Sequence, residues 1–414
     1  MRRRQFLQSS LTAYWAGSMG LSLVGISDFA LAQGGSVTQQ GKTAIQWPQT
    51  NKPFILVFLR GGADTLSLLS PVDDPDFMAA RPPEMRIKLD GFNLTPVMAE
   101  GLGSKTALYW HPNAQPLAKL YEAKRLMPWV AVGITDETRS HFEAQEIMER
   151  GLASLQQIPD GYGWMARQLQ NEMVRQKAKA ILPLFAGNNN LPAVLQGDDA
   201  VLAARDLNYG MSFPGGAAGL RALQALCAQE ANHPASSLMR VTANTIESVN
   251  QAIPKEAQTN KVIPYTSAGE TPYPNSDPAV GLRSVARLIQ AKVGLQYASV
   301  DHLGWDTHEY QNGKIDYLVR DLSNALQAFD EDMQAQHQPY TLVVITEFGR
   351  RLRTNKSNGT DHGHGSLALV LGDGVEGGRV KGQWPGLGAT QLDRGVDLAV
   401  TTDYREVIKS ALQA

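Results

Sequence analysis

Phe54-Ile55-Leu56-Val57-Phe58-Leu59, halted by Arg60-Gly61-Gly62, is the stretch that decides the fold. Six apolar residues in a row are too short for an ordinary helix and lack the alternation of a strand wetted on one face. They predict a strand buried on both faces in a parallel sheet. Similar runs recur at Trp129–Val132, Ile181–Phe185, Leu295–Val300, Thr341–Ile345 and Leu367–Leu371. Helical patterns lie between them, the clearest being the stripe Leu318, Leu322, Leu326, Phe329 and Met333 on an otherwise polar background. Leu117–Lys124, Phe142–Arg150, Leu220–Ala228 and Val280–Lys292 also read as helices. Strands alternating with helices predict an α/β fold, a three-layer sandwich whose central, mostly parallel sheet carries helices on both faces.

The composition is that of a globular chain: of 414 residues, 43% are hydrophobic and 19% charged, which excludes a disordered or fibrous protein. Thirty-eight Lys and Arg stand against 40 Asp and Glu. That balance argues against a nucleic-acid partner, since a phosphate backbone calls for a net-basic face. The single cysteine, Cys227, excludes an intrachain disulfide and a thiolate-held zinc or iron–sulfur site. It falls on an apolar helical stripe and reads as core. Eight histidines remain as the soft ligands, of which His111, His233 and His337 read as structural or exposed.

The chain opens on Arg2, Arg3 and Arg4, runs uncharged from Gln5 to Ser27, and reaches Ala30-Leu31-Ala32, the small-x-small pattern of a signal-peptidase site. Arg3-Arg4-Gln5-Phe6-Leu7 resembles the twin-arginine export consensus, so the twin-arginine machinery is an expected partner and the periplasm the expected location. Ser, Gly, Gln and Thr make the stretch too polar for a lasting membrane span. Cleavage after residue 32 removes three Arg and Asp28, taking 38 and 40 charges to 35 and 39, a net of −4. The expected organisation is a signal at 1–32, a flexible mature N-terminus at 33–46, and one domain at 47–414. Within it the polar, Pro-rich stretch 253–279 reads as a mobile loop.

In open parallel sheets ligands bind beyond the carboxyl ends of the strands. There this sequence places Arg60-Gly61-Gly62-Ala63-Asp64, Arg139-Ser140-His141, Asp301-His302, Asp306-Thr307-His308, Glu347-Phe348-Gly349-Arg350 and Asp361-His362-Gly363-His364. Residues two apart in an extended segment face the same way, so Asp306 with His308, and His362 with His364, can each address one point. Asp301-His302 competes with Asp306-x-His308 as a ligand pair. Carboxylate and imidazole together suit Zn²⁺ or Mn²⁺ better than Ca²⁺. Each piece also has a plainer reading. Ser140 with Glu143 is a capping box, although a hydroxyl at a helix start also suits a nucleophile. Asp64 after two glycines can be a turn residue, and Glu347 with Arg350 an ordinary ion pair. The recurrence at successive strand ends favours a site.

These segments occur in the order seen in the domain of unknown function 1501 family, which the sequence resembles from about residue 50 to the C-terminus. Gly163-Trp164, Gly377-Gly378, Gly382-Gln383-Trp384-Pro385-Gly386 and Asp403-Tyr404-Arg405 extend the match. The resemblance carries a further one, to the alkaline phosphatase and sulfatase superfamily. What that implies is a fold whose strand ends hold one or two metal ions. Asp64 would then bind metal, Ser140 would be the nucleophile, and Asp306 and His308 would bind the first ion, completed by His362 or His364. Glu347-Phe348 stands where the superfamily has an Asp-His pair. Either His141, His362 or Asp361 substitutes for the missing histidine, or the second metal site is weakened or absent. The Asp-x-x-x-His spacing is likewise contracted to Asp306-x-His308.

The implied activity is hydrolysis of phosphate or sulfate esters, of small molecules or polymers, with one or two divalent ions held by Asp64, Asp306, His308, Glu347, Asp361, His362 and His364. Arg60, Arg139 and Arg350 are candidates for the non-bridging oxygens. The competing expectation is a metal-binding or scaffolding protein of the cell envelope that has lost catalysis.

Overall fold

The computed structural model describes residues 47–88, 96–101, 105–155, 161–170, 180–229 and 234–414, except Gln49, Ser212 and Pro214. The expected signal at 1–32, the segment 33–46 and His233 lie outside these residues.

Each apolar run forms a strand. The main sheet consists of β1 (Phe54–Leu59), β5 (Leu126–Gly133), β6 (Leu184–Ala186), β7 (Val201–Ala203), β8 (Tyr297–His302), β9 (Thr341–Thr346), β10 (Ser366–Gly372) and the two-residue β11 (Thr402–Asp403). Their order is β11-β5-β10-β9-β1-β8-β6-β7. β1 pairs in parallel with both β8 and β9, and β6 in parallel with β7 and β8. β10 alone runs against its neighbours β5 and β9. A second, small antiparallel sheet, β2 (Leu69–Ser70), β4 (Lys105–Trp110) and β3 (Val97–Glu100), stands apart.

The double-sided burial expected of β1 is visible in how its residues divide. Ile55, Val57 and Leu59 point into one core, Phe54, Leu56 and Phe58 into another. On the first face pack α1 (Gln115–Glu122) and two later helices, α4 (Asp277–Gln290) and α5 (Gln311–Ala335). The second face carries α2 (His141–Arg150), α3 (Trp164–Leu169) and the C-terminal α6 (Tyr404–Gln413). The protein is therefore α/β with a large, mostly parallel sheet covered by helices on both faces. Cys227 is buried on the helix Gly216–Gln229, as its stripe predicts.

Two local features set up the strand ends. In β5 the register against β10 slips between Ser366 and Ala368, and Ala131 takes a positive φ of 53°. The extra residue is a β-bulge, which bends the strand just before it leads toward α2. After β1, Gly61 and Gly62 have φ of 119° and 65°. A Cβ on Gly61 would lie 2.3 Å from the Asp306 backbone nitrogen, and one on Gly62 2.3 Å from the Phe348 ring. The glycines thus let the β1 loop touch both the β8 and β9 loops.

Before Asp277, where α4 begins, the Pro-rich stretch 253–279 is a loop tied to α5 at Asp332. Tyr265 and Tyr273 each donate a hydrogen bond to Asp332 Oδ2 at 2.8 Å, and the Ala268 N–H donates to Oδ1 at 2.8 Å. Burial pushes both phenols up, which keeps them protonated as donors. Among the described residues no helix is long and apolar enough to cross a membrane.

Candidate metal centre

Because β10 is antiparallel, its amino end lies beside the carboxyl ends of the other strands. The segment entering β10 therefore meets the segments leaving β5, β8 and β9, and Asp361 and His362 arrive opposite His141, Asp306 and Glu347. Three imidazoles converge on one carboxylate oxygen. Asp306 Oδ1 is 3.2 Å from His308 Nε2, 3.5 Å from His362 Nε2 and 3.6 Å from His141 Nε2. His308 Nε2 and His362 Nε2 are 2.9 Å apart. Ligand atoms of His141, Asp306 and His362 all lie within 4.8 Å of one another, a group able to hold a metal ion. The Asp306 side chain is 50% exposed, so the centre opens to solvent.

Every one of the three rings is held from behind. His141 Nδ1 lies 2.8 Å from Glu347 Oε1, His308 Nδ1 3.2 Å from Asp361 Oδ1, and His362 Nδ1 2.8 Å from the Arg139 carbonyl oxygen. A neutral imidazole that donates from Nδ1 keeps its lone pair at Nε2, and all three Nε2 atoms face the centre. His141 Nε2 is buried and has no hydrogen-bond partner among the described residues. Carboxylate or carbonyl behind, lone pair in front, is the arrangement by which metal-binding histidines are oriented. Phe348 packs against His141 and His362 with ring centroids 4.9 Å from each, fixing the angle between them.

The electrostatics agree with that division of labour. Burial works against the charge of Glu347, but hydrogen bonds from His141, Gln145 and the backbone of Glu347 and Gly61 outweigh it and hold the carboxyl below its usual range. Asp306 is likewise penalised by burial and brought down by Arg350, His308 and His141. Burial lowers His362, favouring the neutral ring that can act as a ligand.

The expected ligands thus separate into three sets. Asp306, His308 and His362 meet at the centre. Glu347 and Asp361 stand behind it as orienting carboxylates. Asp64 and His364 are turned elsewhere. Both oxygens of Asp64 bond Arg81, at 2.6 and 3.0 Å, and Oδ2 also accepts from Ser67 and Gln311. His364 faces Asp393 Oδ2 at 2.9 Å and the Ile134 carbonyl at 3.1 Å, so neither nitrogen is free. Alternation predicted that His364 would join His362, and these two contacts hold it elsewhere. The pair Asp301-His302 is also accounted for: Asp301 pairs with Arg60, and His302 is buried edge-on against Trp305. His141, weighed in the sequence only as a substitute, is the fourth group of the centre.

The three arginines expected to meet substrate oxygens are occupied inside the protein. Arg60 bonds Glu149, Asp301 and Gln145. Arg139 bonds Asp393 and Asp397. Arg350, 2% exposed, spends its nitrogens on the carbonyls of Gly61, Gly62, Trp305 and Thr360 and on Asp306. Ser140 begins α2, and the anticipated capping box does not form: its hydroxyl makes no cap bond, and Glu143 is taken by Thr138. Among the described residues Ser140 therefore sits with an uncommitted hydroxyl between two residues that touch the centre, Arg139 through its carbonyl and His141 through its ring.

A family model described as a protein of unknown function (DUF1501) matches residues 51–413. No curated protein and no solved structure matches the chain.

Proposed function

This chain belongs to the DUF1501 family, whose description names no activity, and from that premise we propose a function from the site itself: an exported, metal-dependent hydrolase of phosphate or sulfate esters. The observation that carries the reading is the convergence of the His141, His308 and His362 Nε2 atoms on Asp306, each ring held from behind. The donor set of three imidazoles and one carboxylate fits Zn²⁺ or Mn²⁺. Resemblance to the alkaline phosphatase and sulfatase superfamily is part of the proposal, supported by the mostly parallel sheet and by a site at its strand ends.

A bound divalent ion would polarise the ester and favour the ionised form of a nearby hydroxyl. The chain's own residues do the rest. Ser140 Oγ, at the N-terminus of α2 where partial positive charge favours an oxyanion, attacks phosphorus or sulfur. The new Oγ–P or Oγ–S bond forms as the bond to the leaving alcohol breaks, and water later releases the acid from Ser140. Glu347 keeps His141 in its ligand orientation throughout, as Asp361 and the Arg139 carbonyl do for His308 and His362. The resemblance of Arg3-Arg4-Gln5-Phe6-Leu7 to the twin-arginine export consensus supports a periplasmic location for the reaction.

One observation favours a second reading, a metal-binding protein of the envelope without catalysis. Arg60, Arg139 and Arg350 are all occupied within the protein, which leaves none of the three for the ester oxygens. Metal content and turnover of phosphate monoesters, phosphate diesters and aryl sulfates across a metal panel separate the two. The hydrolase reading expects Ser140→Ala to retain metal and lose at least roughly 100-fold in turnover, the order attributed to a nucleophile and its activation. Metal retained with no ester turned over by the parent protein supports the second reading, and a fully active Ser140→Ala removes the nucleophile.

A further inference from the structure

Beside the histidine centre lies a second concentration of negative charge. Glu149 is 5% exposed, Asp301 is half-buried at the end of β8, and Glu347 is fully buried. Asp301 feels the repulsion of both Glu149 and Glu347. A second divalent ion beside the first, as in two-metal enzymes, would draw on carboxylates such as these. Here their oxygens are already spoken for. Arg60 Nη2 and Nη1 reach Glu149 Oε1 and Oε2 at 2.9 and 3.1 Å, and Arg60 Nε reaches Asp301 Oδ1 at 2.9 Å. Gln145 continues the chain, accepting from Arg60 Nη1 at 3.2 Å and donating to Glu347 Oε1 at 2.8 Å, the same oxygen that holds His141.

We infer that the centre takes a single metal ion and that the Arg60 guanidinium permanently fills the place of a second cation, among Glu149, Asp301 and, through Gln145, Glu347. This rests on the metal reading proposed above and adds the number of ions and the residue that sets it. Arg suits the task because it stays charged and its planar fork matches two carboxylates at once. Lodging it is favourable here because the guanidinium also lies 4.0 Å over the Phe58 ring, and its backbone N–H bonds the His302 carbonyl at 2.9 Å. A fixed organic cation neutralises the carboxylates without leaving a coordination position for substrate. Arg60 is thus a positioning residue: it acts on the centre through Gln145, Glu347 and His141.

The test is metal stoichiometry by mass spectrometry on the full chain, purified without chelators and then dialysed against Zn²⁺ or Mn²⁺. The parent protein is expected to hold one ion per chain. Arg60→Met, which keeps an apolar side chain over Phe58 and gives up the charge, is expected to take up a second. Arg60→Lys, which keeps a cation, stays at one. Two ions in the parent protein overturn the inference while leaving the metal centre standing, whereas none at all removes the metal reading itself. A folded Arg60→Met that still holds one ion overturns the substitution of arginine for metal. Should Arg60→Met fail to fold, recovery of the folded chain with Mn²⁺ or Zn²⁺ supports the inference, and failure with every divalent ion overturns it.

Discussion

Two polar clusters at the same end of the sheet are built from similar side chains and differ in how they end. In the first, Asp64 and Arg81 are 1% and 0% exposed, and Ser67 and Gln311 close the remaining valences of the carboxylate. Gln311 then accepts from Thr307 and Thr360, so the cluster completes itself. In the second, His141, His308 and His362 satisfy their outer nitrogens on Glu347, Asp361 and the Arg139 carbonyl and turn their inner ones toward Asp306 Oδ1, which Arg350 also holds. The first is a rivet and the second is a socket. The distinction comes from where lone pairs are left over, because a buried polar group without a partner is costly unless something else arrives to meet it.

Substitutions that cut each cluster sharpen this contrast. The largest expected effect is on the closed one. Arg81→Ala strands the Asp64 carboxylate in the core and is expected to destabilise the fold by about 3–5 kcal/mol, the cost of breaking a buried pair. Denaturant unfolding measures it, and any folded fraction should keep its metal. A loss under about 1 kcal/mol would mean that the pair behaves like a surface bridge.

Next comes His302, a buried group at the end of β8. Burial lowers its pKa to about 4, only partly offset by Asp277. The unfolded chain, with a value near 6.5, binds the proton first as pH falls. Stability contributed by the neutral ring is thus present above pH 6.5 and is lost between there and about 4. The linked change is about 3 kcal/mol. His302→Phe should flatten that limb of the stability–pH curve, and an unchanged slope would remove His302 as its source.

The smallest effect belongs to the open cluster. Glu347→Gln keeps the shape of the side chain and weakens its hold on His141 Nδ1. Metal affinity should fall by roughly 10–100-fold, as for other groups that orient a ligand, while the metal-free melting temperature moves little. Calorimetric titration separates the two readouts. Equal affinity in the variant would place Glu347 among merely structural carboxylates.

The strands of the main sheet were legible because burial on both faces writes itself into sequence as an unbroken apolar run, and α5 because its stripe spans about four turns. The helix Pro234–Ala252 and the C-terminal α6 carried no comparable mark against their surroundings, and β7 and β11 are too short to show one. At the site, Asp306 and His308 followed from alternation. What sequence could not show was the choice of partner. Asp64 looked like a ligand until Arg81, seventeen positions away, took both its oxygens. Phe348 looked like a loss, yet it is the surface on which two of the imidazoles rest. Ser140 looked like a cap, yet Thr138 claims the glutamate the box needed. Each of these depends on which of several chemically equivalent donors arrives first in space, and spacing along the chain does not encode that.

The lone antiparallel strand has a consequence for the order of events in folding. His141, Asp306, His308 and His362 are contributed by segments flanking β5, β8 and β10, separated by more than two hundred residues of chain. Contacts of such long range are the slowest to form. No partial sheet presents the full ligand set, because β10 must first turn back between β9 and β5 to bring His362 to the others. Under the metal reading proposed above, tight capture of an ion would therefore be a late event and would report that the sheet has closed in its final order.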